Sequence, residues 1–311
     1  MKKIPYLTLA LFLVSLFLPQ AVRAASLEYA LVPKQIAEDT WILEGSLEDF
    51  SRENGGNIVN TVFIVTKTGV VVFDTGPSKR YGESMRKAIA GVTSKPITHV
   101  FISHHHPDHF LGNQAFADVP IYALPNTIKK IAESGSDFAE NMYRLVGDWM
   151  RGTEVVLPNT PLTQTAMEIG GHQFEFIPMS GHTNADLVLF DKTTGVLLAA
   201  DIIFFKRALT TPHTPGLDVW MKDVTSLAAL PHKTVVPGHG PVDRQGDSFV
   251  EMLAYLRWLD STLRSAADQG LSMTEVMALP IDPRFSSIAL TRNEFIRSVS
   301  HLYPDYEASA F

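Results

Sequence analysis

The sequence predicts a mixed α/β fold, and two kinds of segment support this class. Residues 61–66 and 70–73 are rich in β-branched residues and flank a turn that contains Gly69, which indicates a β-hairpin. Over residues 247–268, apolar residues recur at the spacing of one helix face, which indicates a long amphipathic helix. Periodicity by itself leads only as far as this mixed class.

The remaining elements follow the same patterns in chain order. Further strands are predicted within residues 27–44, 99–102, 120–123 and 235–236, a second hairpin over residues 167–177, and a third hairpin that pairs residues 187–190 with 196–200. Further helices are predicted at residues 79–90, 126–150, 273–277 and 293–302, with a short one from residue 110 and a break at residues 134–136. The polar segment 47–57 is predicted to be a loop that could border the site. Phe138, Tyr143 and Trp149 are expected in the core.

The first 24 residues are expected to be a signal peptide. Lys2 and Lys3 form a charged start, residues 4–18 are apolar, and residues 22–24 end in a small residue that suits signal peptidase. The apolar run is shorter than the ~20 residues of a membrane span, which favours cleavage. The chain has no Cys, so it makes no disulfides and carries no lipoprotein anchor. A periplasmic or secreted protein without a membrane anchor is therefore expected.

The net charge and the length of the chain limit which partners and which domain organisation it can have. Loss of the signal peptide removes three basic residues, which leaves 23 basic and 33 acidic residues and a net charge of −10 with His neutral. Such a chain suits neither nucleic acid nor anionic lipid, and a small-molecule substrate is the expected partner. We expect one domain over residues 25–268 and a helical extension, residues 269–311, packed on the same domain.

Residues 103–109, with the sequence Ser-His-His-His-Pro-Asp-His, carry the strongest chemical signal. They follow the predicted strand 99–102. Side chains alternate between the faces of a strand, so His104 and His106 can point the same way, while His105 points the opposite way and is not expected to be a ligand. A structural role is a poor explanation, because each buried imidazole would need partners for its ring nitrogens.

The chain turns at Pro107, which cannot continue the strand with a ladder hydrogen bond. This turn can bring Asp108 and His109 to the side that the preceding histidines face. The segment therefore offers two neighbouring sets of ligands, one rich in nitrogen and one of mixed nitrogen and oxygen. Imidazole and carboxylate suit zinc, and also iron or manganese.

The spacing His-x-His-x-Asp-His at residues 104–109 resembles the signature of the metallo-β-lactamase superfamily. Three later segments follow the order of that family's motifs: Ser-Gly-His-Thr at residues 180–183, Asp201 after an apolar strand, and Pro-Gly-His-Gly at residues 237–240. The resemblance covers roughly residues 35–260. It implies an αββα sandwich, in which two mixed sheets lie back to back between helices.

The resemblance also implies a role for each of these residues. The first metal ion would be held by His104, His106 and His182. The second would be held by Asp108, His109 and His239. Asp201 would bridge the two, and Asp74 would support a ligating histidine from behind. Lys206 and Arg207 follow the bridging acid and are candidates for binding a substrate carboxylate or a developing oxyanion.

The function implied is that of a periplasmic metallohydrolase with two zinc ions, in which a metal-bridged hydroxide cleaves a small ester, thioester, lactone or β-lactam-type bond. Asp108 and Asp201 would be the catalytic carboxylates. The absence of Cys removes the thiolate ligand of the largest true β-lactamase subclass, and Asp201 favours a layout like that of glyoxalase II and the lactonases. Phe204 stands where the quorum-quenching lactonases carry Tyr.

The chain is most similar to a secreted branch, the SoxH-like zinc metallohydrolases of quinoprotein relay systems. That branch implies a periplasmic quinoprotein dehydrogenase system as a partner. Two alternatives stay open at this point. One is an oxidoreductase similar to the persulfide dioxygenases, which use two His and one Asp on a single iron. The other is an accessory factor of the quinoprotein system with a mainly structural metal.

Overall fold

A computed structural model describes residues 27–310, so the predicted signal peptide lies outside the described residues. The strands are β1 (Lys34–Ala37), β2 (Thr40–Leu43), β3 (Thr61–Val65), β4 (Val70–Phe73), β5 (Ile97–Phe101), β6 (Ile121–Ala123), β7 (Thr160–Pro161), β8 (Ala166–Ile169), β9 (His172–Met179), β10 (Asp186–Asp191), β11 (Val196–Phe204) and β12 (Thr234–His239). The α-helices are α1 (Lys79–Val92), α2 (Pro107–Phe110), α3 (Pro125–Val146), α4 (Leu217–Ala228), α5 (Asp247–Asp268), α6 (Met273–Met277) and α7 (Thr291–Ala310).

Two mixed sheets form the centre of the fold. The first has the order β1-β2-β3-β4-β5-β6-β7; its strands are antiparallel up to β4 and parallel from β4 to β7. The second has the order β12-β11-β10-β9-β8, in which only β11 and β12 pair in parallel. All three predicted hairpins are present: β3–β4, β8–β9 and β10–β11. The second turns through Gly170 and Gly171, which both have positive φ.

The side chains of β4 show how the layers stack. All four of its residues are buried. Val70 and Val72 belong to the apolar cluster between the first sheet and helices α1 and α3, whereas Val71 and Phe73 belong to the cluster between the two sheets. This alternation explains why the strand is apolar throughout. The second sheet packs its other face on α4, α5, α6 and α7. The expected αββα sandwich is therefore confirmed.

The predicted break in the third helix is wrong. Helix α3 runs without interruption through residues 134–136, and a 3₁₀ turn, Gly147–Met150, follows it. Gly135 is buried, and a Cβ at this position would lie 2.9 Å from Val155 Cγ1. The glycine allows a neighbouring segment to approach closely, which has the same sequence signal as a helix break.

Beyond residue 268 the chain forms α6, as predicted at residues 273–277, and α7, which is longer than predicted. Tyr303 and Tyr306 hold the last turns of α7, since their hydroxyls donate to Leu271 O and Asp260 Oδ1, each at 2.5 Å. These contacts are between distant parts of the chain, so the local pattern did not predict them.

Helix α4 was not predicted from the sequence. Among the described residues, no helix is both long and apolar enough to span a bilayer.

Candidate metal centre

The side chains predicted as metal ligands converge at one edge of the sandwich, next to the ends of β5, β9, β11 and β12. They are His104, His106, Asp108, His109, His182, Asp201 and His239. All of them are buried, although they come from four separate segments of the chain. Their convergence follows from the sheet order, because β11 and β12 are parallel neighbours and β5 lies in the facing sheet.

Three histidines and one carboxylate form the first cluster: His104, His106, His182 and Asp201. Each offers a ligand atom within 4.8 Å of the others. His106 Nδ1 lies 2.9 Å from His182 Nε2. Asp201 Oδ2 lies 3.3 Å from His182 Nε2 and 3.9 Å from His104 Nε2. Three imidazoles and a carboxylate oxygen therefore surround one small volume.

The second cluster contains Asp108, His109 and His239, again with ligand atoms within 4.8 Å of one another. Asp108 Oδ2 lies 3.4 Å from His239 Nε2 and 3.7 Å from His109 Nε2. Asp201 reaches this cluster as well: its Oδ1 lies 3.2 Å from His109 Nε2, and its Oδ2 lies 3.3 Å from His239 Nε2. Asp201 therefore lies between the two clusters.

Asp74 and Ser103 fix the imidazoles of His104 and His109 from behind. Asp74 accepts hydrogen bonds from the backbone N–H and the hydroxyl of Ser103, at 2.7 and 2.8 Å. It also accepts one from His109 Nδ1 at 2.8 Å. Ser103 Oγ lies 3.0 Å from His104 Nδ1. With both Nδ1 atoms engaged, each ring turns its Nε2 towards the clusters. The contribution of Ser103 was missed from the sequence.

The β12 end of the site is equally constrained. His239 Nδ1 donates to Ile58 O at 2.8 Å, which leaves Nε2 facing the second cluster. Asn60 donates to Pro237 O and Gly240 O, at 2.9 and 2.7 Å, and so holds the turn that carries this histidine. A Cβ on Gly238 would lie 1.9 Å from Asp201 Oδ1. Only glycine leaves room here for the carboxylate.

A close approach of the backbone also places His182. A Cβ on Gly181 would lie 2.6 Å from Trp220 Cα, so glycine is required where this loop passes helix α4. Asp186 Oδ2 accepts hydrogen bonds from the backbone N–H groups of His182 and Thr183, at 3.1 and 2.8 Å. These hydrogen bonds and the close approach of Gly181 to helix α4 fix the conformation of the loop that carries His182.

The pKa values of the first cluster suit a cation. Burial lowers the pKa of His104 and His106 well below the ordinary value and lowers the pKa of His182 to about 3. Burial opposes charge on Asp201, but the surrounding imidazoles still hold its pKa well below the usual range. Neutral imidazoles beside an ionised carboxylate are the forms that bind metal. In the second cluster burial opposes charge on His109, but the carboxylates of Asp201, Asp108 and Asp74 raise the pKa of this imidazole well above its ordinary value.

Several buried atoms of the site have no hydrogen-bond partner among the described residues. One is Nδ1 of His182, and the other three are Nε2 of His104, Nε2 of His109 and Oδ1 of Asp201. These last three point into the clusters, where a polar atom without a partner is costly. A cation bound at each cluster would satisfy them, so the donor set fits the divalent metals that this resemblance implies.

A cavity of about 410 Å³ opens onto the clusters. Asp108, Asp201 and His239 form part of its wall. The loop after β2 contributes Asp49 and Phe50, in line with the predicted position of residues 47–57 near the site. The far wall comes from Glu294, Arg297 and His301 on helix α7, which the sequence left without a role.

The expected core position is wrong for Tyr143 and is met only in part by Phe138, which is partly buried against the core cluster of the first sheet. Phe138 lines the cavity, with its ring centroid 6.2 Å from that of His106. Tyr143 is 50% exposed. Helix α3 therefore presents Phe138 to the cavity and Tyr143 to solvent. Trp149 packs against Tyr29, with ring centroids 4.4 Å apart, and is partly buried.

The two basic residues after Asp201 lie in different places. Lys206 donates to Glu251 on α5 at 2.6 Å, and its ammonium lies 4.5 Å from the Phe205 ring. Its side chain is half exposed and is not part of the cavity wall. Arg207 is buried and lines the cavity. The neighbours were equivalent candidates in the sequence, and only the fold separates them.

His213 was also missed. It lies on the loop between β11 and α4, and its Nδ1 is 2.7 Å from His106 Nε2. When His213 Nδ1 accepts this hydrogen bond, His106 keeps a lone pair on Nδ1, the nitrogen that faces the first cluster. His105 turns towards the same loop, with its ring centroid 5.0 Å from that of His213. A lone histidine in a loop gives no sequence signal for such a role.

A sequence model described as "Metallo-beta-lactamase superfamily" matches residues 54–239. The chain is 25% identical over 233 residues to metallo-beta-lactamase domain-containing protein 1 of Xenopus laevis, which covers 71% of this chain and 91% of that protein. It is 26% identical over 189 residues to metallo-beta-lactamase IND-1 of Chryseobacterium indologenes, which covers 58% and 71%.

Solved structures show the same fold. A metallo-beta-lactamase from Pontibacter korlensis superposes with a TM-score of 0.59 at 23% sequence identity. The superposition covers 73% of this chain and 99% of that one. The remaining part of this chain lies outside the superposition.

Proposed function

This chain belongs to the metallo-beta-lactamase superfamily, and we propose from this premise that its two side-chain clusters hold two zinc ions. The chain is a metal-dependent hydrolase. The bond that we propose it cleaves is a small ester, thioester, lactone or β-lactam-type bond. Imidazole and carboxylate ligands of this kind also bind iron and manganese.

One observation carries this proposal: Asp201 lies within 3.2–3.3 Å of imidazole nitrogens from both clusters. A carboxylate in this position, beside the separate pair of Asp108 and His239 (3.4 Å), fits two cations better than one. A single iron held by two histidines and one aspartate would leave the remaining imidazoles without a partner. The geometry therefore favours hydrolysis over the dioxygenase alternative.

The residues of the site have separate roles in the proposed hydrolysis. The bound metals would supply Lewis-acid activation of water and of the scissile group. Asp108, with one oxygen turned towards His239 and its side chain on the cavity wall, accepts the proton of the attacking water. Asp74 and Ser103 hold the imidazole rings of His104 and His109 in the orientation that metal binding requires. Phe50 and Phe138 exclude water from the apolar part of the cavity.

We further propose that the protein works in the periplasm, together with a quinoprotein dehydrogenase system. The basis is the leader-like pattern of residues 1–24, the absence of Cys and the resemblance to the SoxH-like branch. Fractionation of a culture that expresses the full chain tests the location. Recovery of the protein in the cytoplasm with its leader intact would contradict it.

The function is tested by a screen of the metal-loaded protein against a chromogenic β-lactam, a lactone and a thioester. We expect hydrolysis of at least one of them, loss of that activity after chelation, and recovery on adding zinc. Oxygen uptake with a persulfide serves as the control reaction. Oxygen consumption by the iron-loaded protein, together with no hydrolysis in the screen, would contradict the proposal.

A further inference from the structure

Three histidines form a histidine triangle beside the first cluster: His105, His106 and His213. Their ring centroids lie 5.0 Å apart in all three pairs, and each ring offers a nitrogen within 4.8 Å of the other two. The centroid distances among the three histidines of the first cluster, His104, His106 and His182, are 4.7–4.8 Å. The two groups share His106 and have nearly the same size. The spacing of the triangle is therefore that of imidazoles that can ligate one ion.

His105 gives independent evidence that the triangle binds a ligand. The residue is 3% exposed, and its Nδ1 is buried without a hydrogen-bond partner among the described residues. A buried imidazole nitrogen without a partner costs free energy, which a bound cation would offset. Burial also favours the neutral form of the ring, which is the form that binds metal. His105 belongs to neither of the two predicted ligand sets, so those sets give this buried ring no role.

His106 can serve both groups because its two nitrogens face different ways. Its Nδ1 lies 2.9 Å from His182 Nε2, in the first cluster, and its Nε2 lies 2.7 Å from His213 Nδ1, in the triangle. An imidazole that gives up the hydrogen on Nε2 can ligate one ion through each nitrogen. That hydrogen passes to water when an ion enters the triangle, and the lone pair of His213 Nδ1 then turns to the ion.

The triangle is accessible from solvent and consists only of nitrogen ligands. His106 and His213 line the cavity, and His213 is exposed. Phe138 packs against all three rings, at centroid distances of 5.9–6.2 Å, which restricts their movement. Magnesium and calcium prefer oxygen ligands, whereas imidazole suits zinc, copper and nickel. The chemistry of the triangle therefore selects a late first-row transition metal.

We propose that His105, His106 Nε2 and His213 form a third metal site, which binds zinc or a similar late first-row dication. This ion binds more weakly than the two ions of the proposed hydrolytic centre, because its ligands carry no carboxylate and the neighbouring dications repel it. The third site is therefore expected to fill only when zinc is in excess, and to empty during purification without added metal.

Filling of the third site is expected to slow hydrolysis. The ion would lie in the wall of the cavity, next to His106, and its water ligands would occupy space that the substrate needs. Only this effect on turnover rests on the proposed function, since the site itself rests on the geometry of the triangle. Excess zinc should therefore inhibit the wild type over the concentrations that fill the third site, and this loss of activity should disappear in a variant that lacks His105.

The test is equilibrium dialysis of the full chain against a series of buffered free zinc concentrations, with elemental analysis of the bound metal. In the wild type we expect two tightly bound ions and then a third, which binds about 100-fold less tightly. His105→Phe keeps a ring in the buried position and removes its nitrogens. This variant is expected to keep the first two ions and to bind the third about 100-fold more weakly than the wild type does.

His213→Gln is the second variant, and it separates binding of the third ion from support of His106. Its amide oxygen can still accept the hydrogen bond from His106 Nε2, but an amide is a poor zinc ligand. The matched controls are His99→Phe and His232→Gln, because neither histidine belongs to a candidate metal group of the described residues. Both controls should keep the third ion. Each variant is compared only if it keeps the wild-type melting temperature.

A wild type that stops at two ions across the whole series would overturn the proposal. A third ion that the folded His105→Phe and His213→Gln variants bind as tightly as the wild type would also overturn it, because that ion would be adventitious. One tight ion, followed by a weaker one that both variants lose, would contradict the dinuclear centre and keep this site. Two tight ions and hydrolysis in the screen, without a further ion that the variants lose, would do the reverse.

Discussion

Replacing Asp201 by alanine is expected to lower the rate of hydrolysis by about 10³-fold or more and to strip metal from both clusters. The carboxylate lies between imidazoles of both sets, with His109, His182 and His239 all at 3.2–3.3 Å. Its removal takes one ligand oxygen from each cluster and would leave two neighbouring cations without the negative charge between them. Steady-state rates and elemental analysis of the purified variant measure both effects.

The matched control is Asp191→Asn. Asp191 is also a buried aspartate of the second sheet, and it is paired with a histidine, His172, at 2.9 Å. It is not among the residues that line the cavity. We expect this variant to lose stability but to keep its metal and its rate per folded molecule. If the Asp201 variant kept two metals and a rate within tenfold of the wild type, the assignment of Asp201 would be wrong.

Replacing Asp74 by asparagine is expected to weaken binding of the second metal about 10- to 100-fold, the usual cost of losing a partner behind a ligating histidine. Asp74 accepts three hydrogen bonds, two from Ser103 and one from His109. An amide offers one acceptor oxygen, so at least one of these donors loses its partner. Asparagine tolerates the backbone of this position, where φ is +61°, so the effect reports on the carboxylate.

Asp39→Asn provides the comparison. Asp39 has the same kind of backbone, with φ of +60°, and lies 3.6 Å from a histidine, His172, which is not one of the predicted ligands. Competition with a chromogenic chelator gives the two metal affinities of each variant. We expect the Asp39 variant to match the wild type. An Asp74 variant with unchanged affinity for both metals would contradict the supporting role.

The fold class was predictable because the signals are local. Strands such as β4 are apolar on both faces, and helix α5 has the bounds that its periodicity predicts. The sandwich itself came from the resemblance carried by residues 104–109 and the later motifs, since periodicity does not say which sheet faces which. Gly135 was misread because a glycine for close packing and a glycine for a helix break look the same in sequence.

The candidate histidines and Asp108 could be proposed from the sequence because they sit in short motifs with an unusual composition, whereas Asp201 follows an apolar strand and was assigned only through the order of motifs that the resemblance implies. Most of their supporting groups could not be predicted in this way. Ser103 is part of the motif, but its hydroxyl acts through a contact with Asp74, which is distant in the chain. His213 and helix α7 reach the site only through the loop and helix packing of the folded chain. The wall of the cavity, and hence the substrate, depends on those contacts.

Metal content tests the central claim most directly, in the wild type and in His239→Ala, with His232→Ala as a control on a histidine that packs against Phe249 away from the clusters. Elemental analysis of the matured protein should give about two zinc per chain, close to one in the His239 variant and about two in the control. One iron per chain, unchanged when His239 is replaced, would contradict the dinuclear account and lead instead to an oxygen-dependent reaction at a single metal.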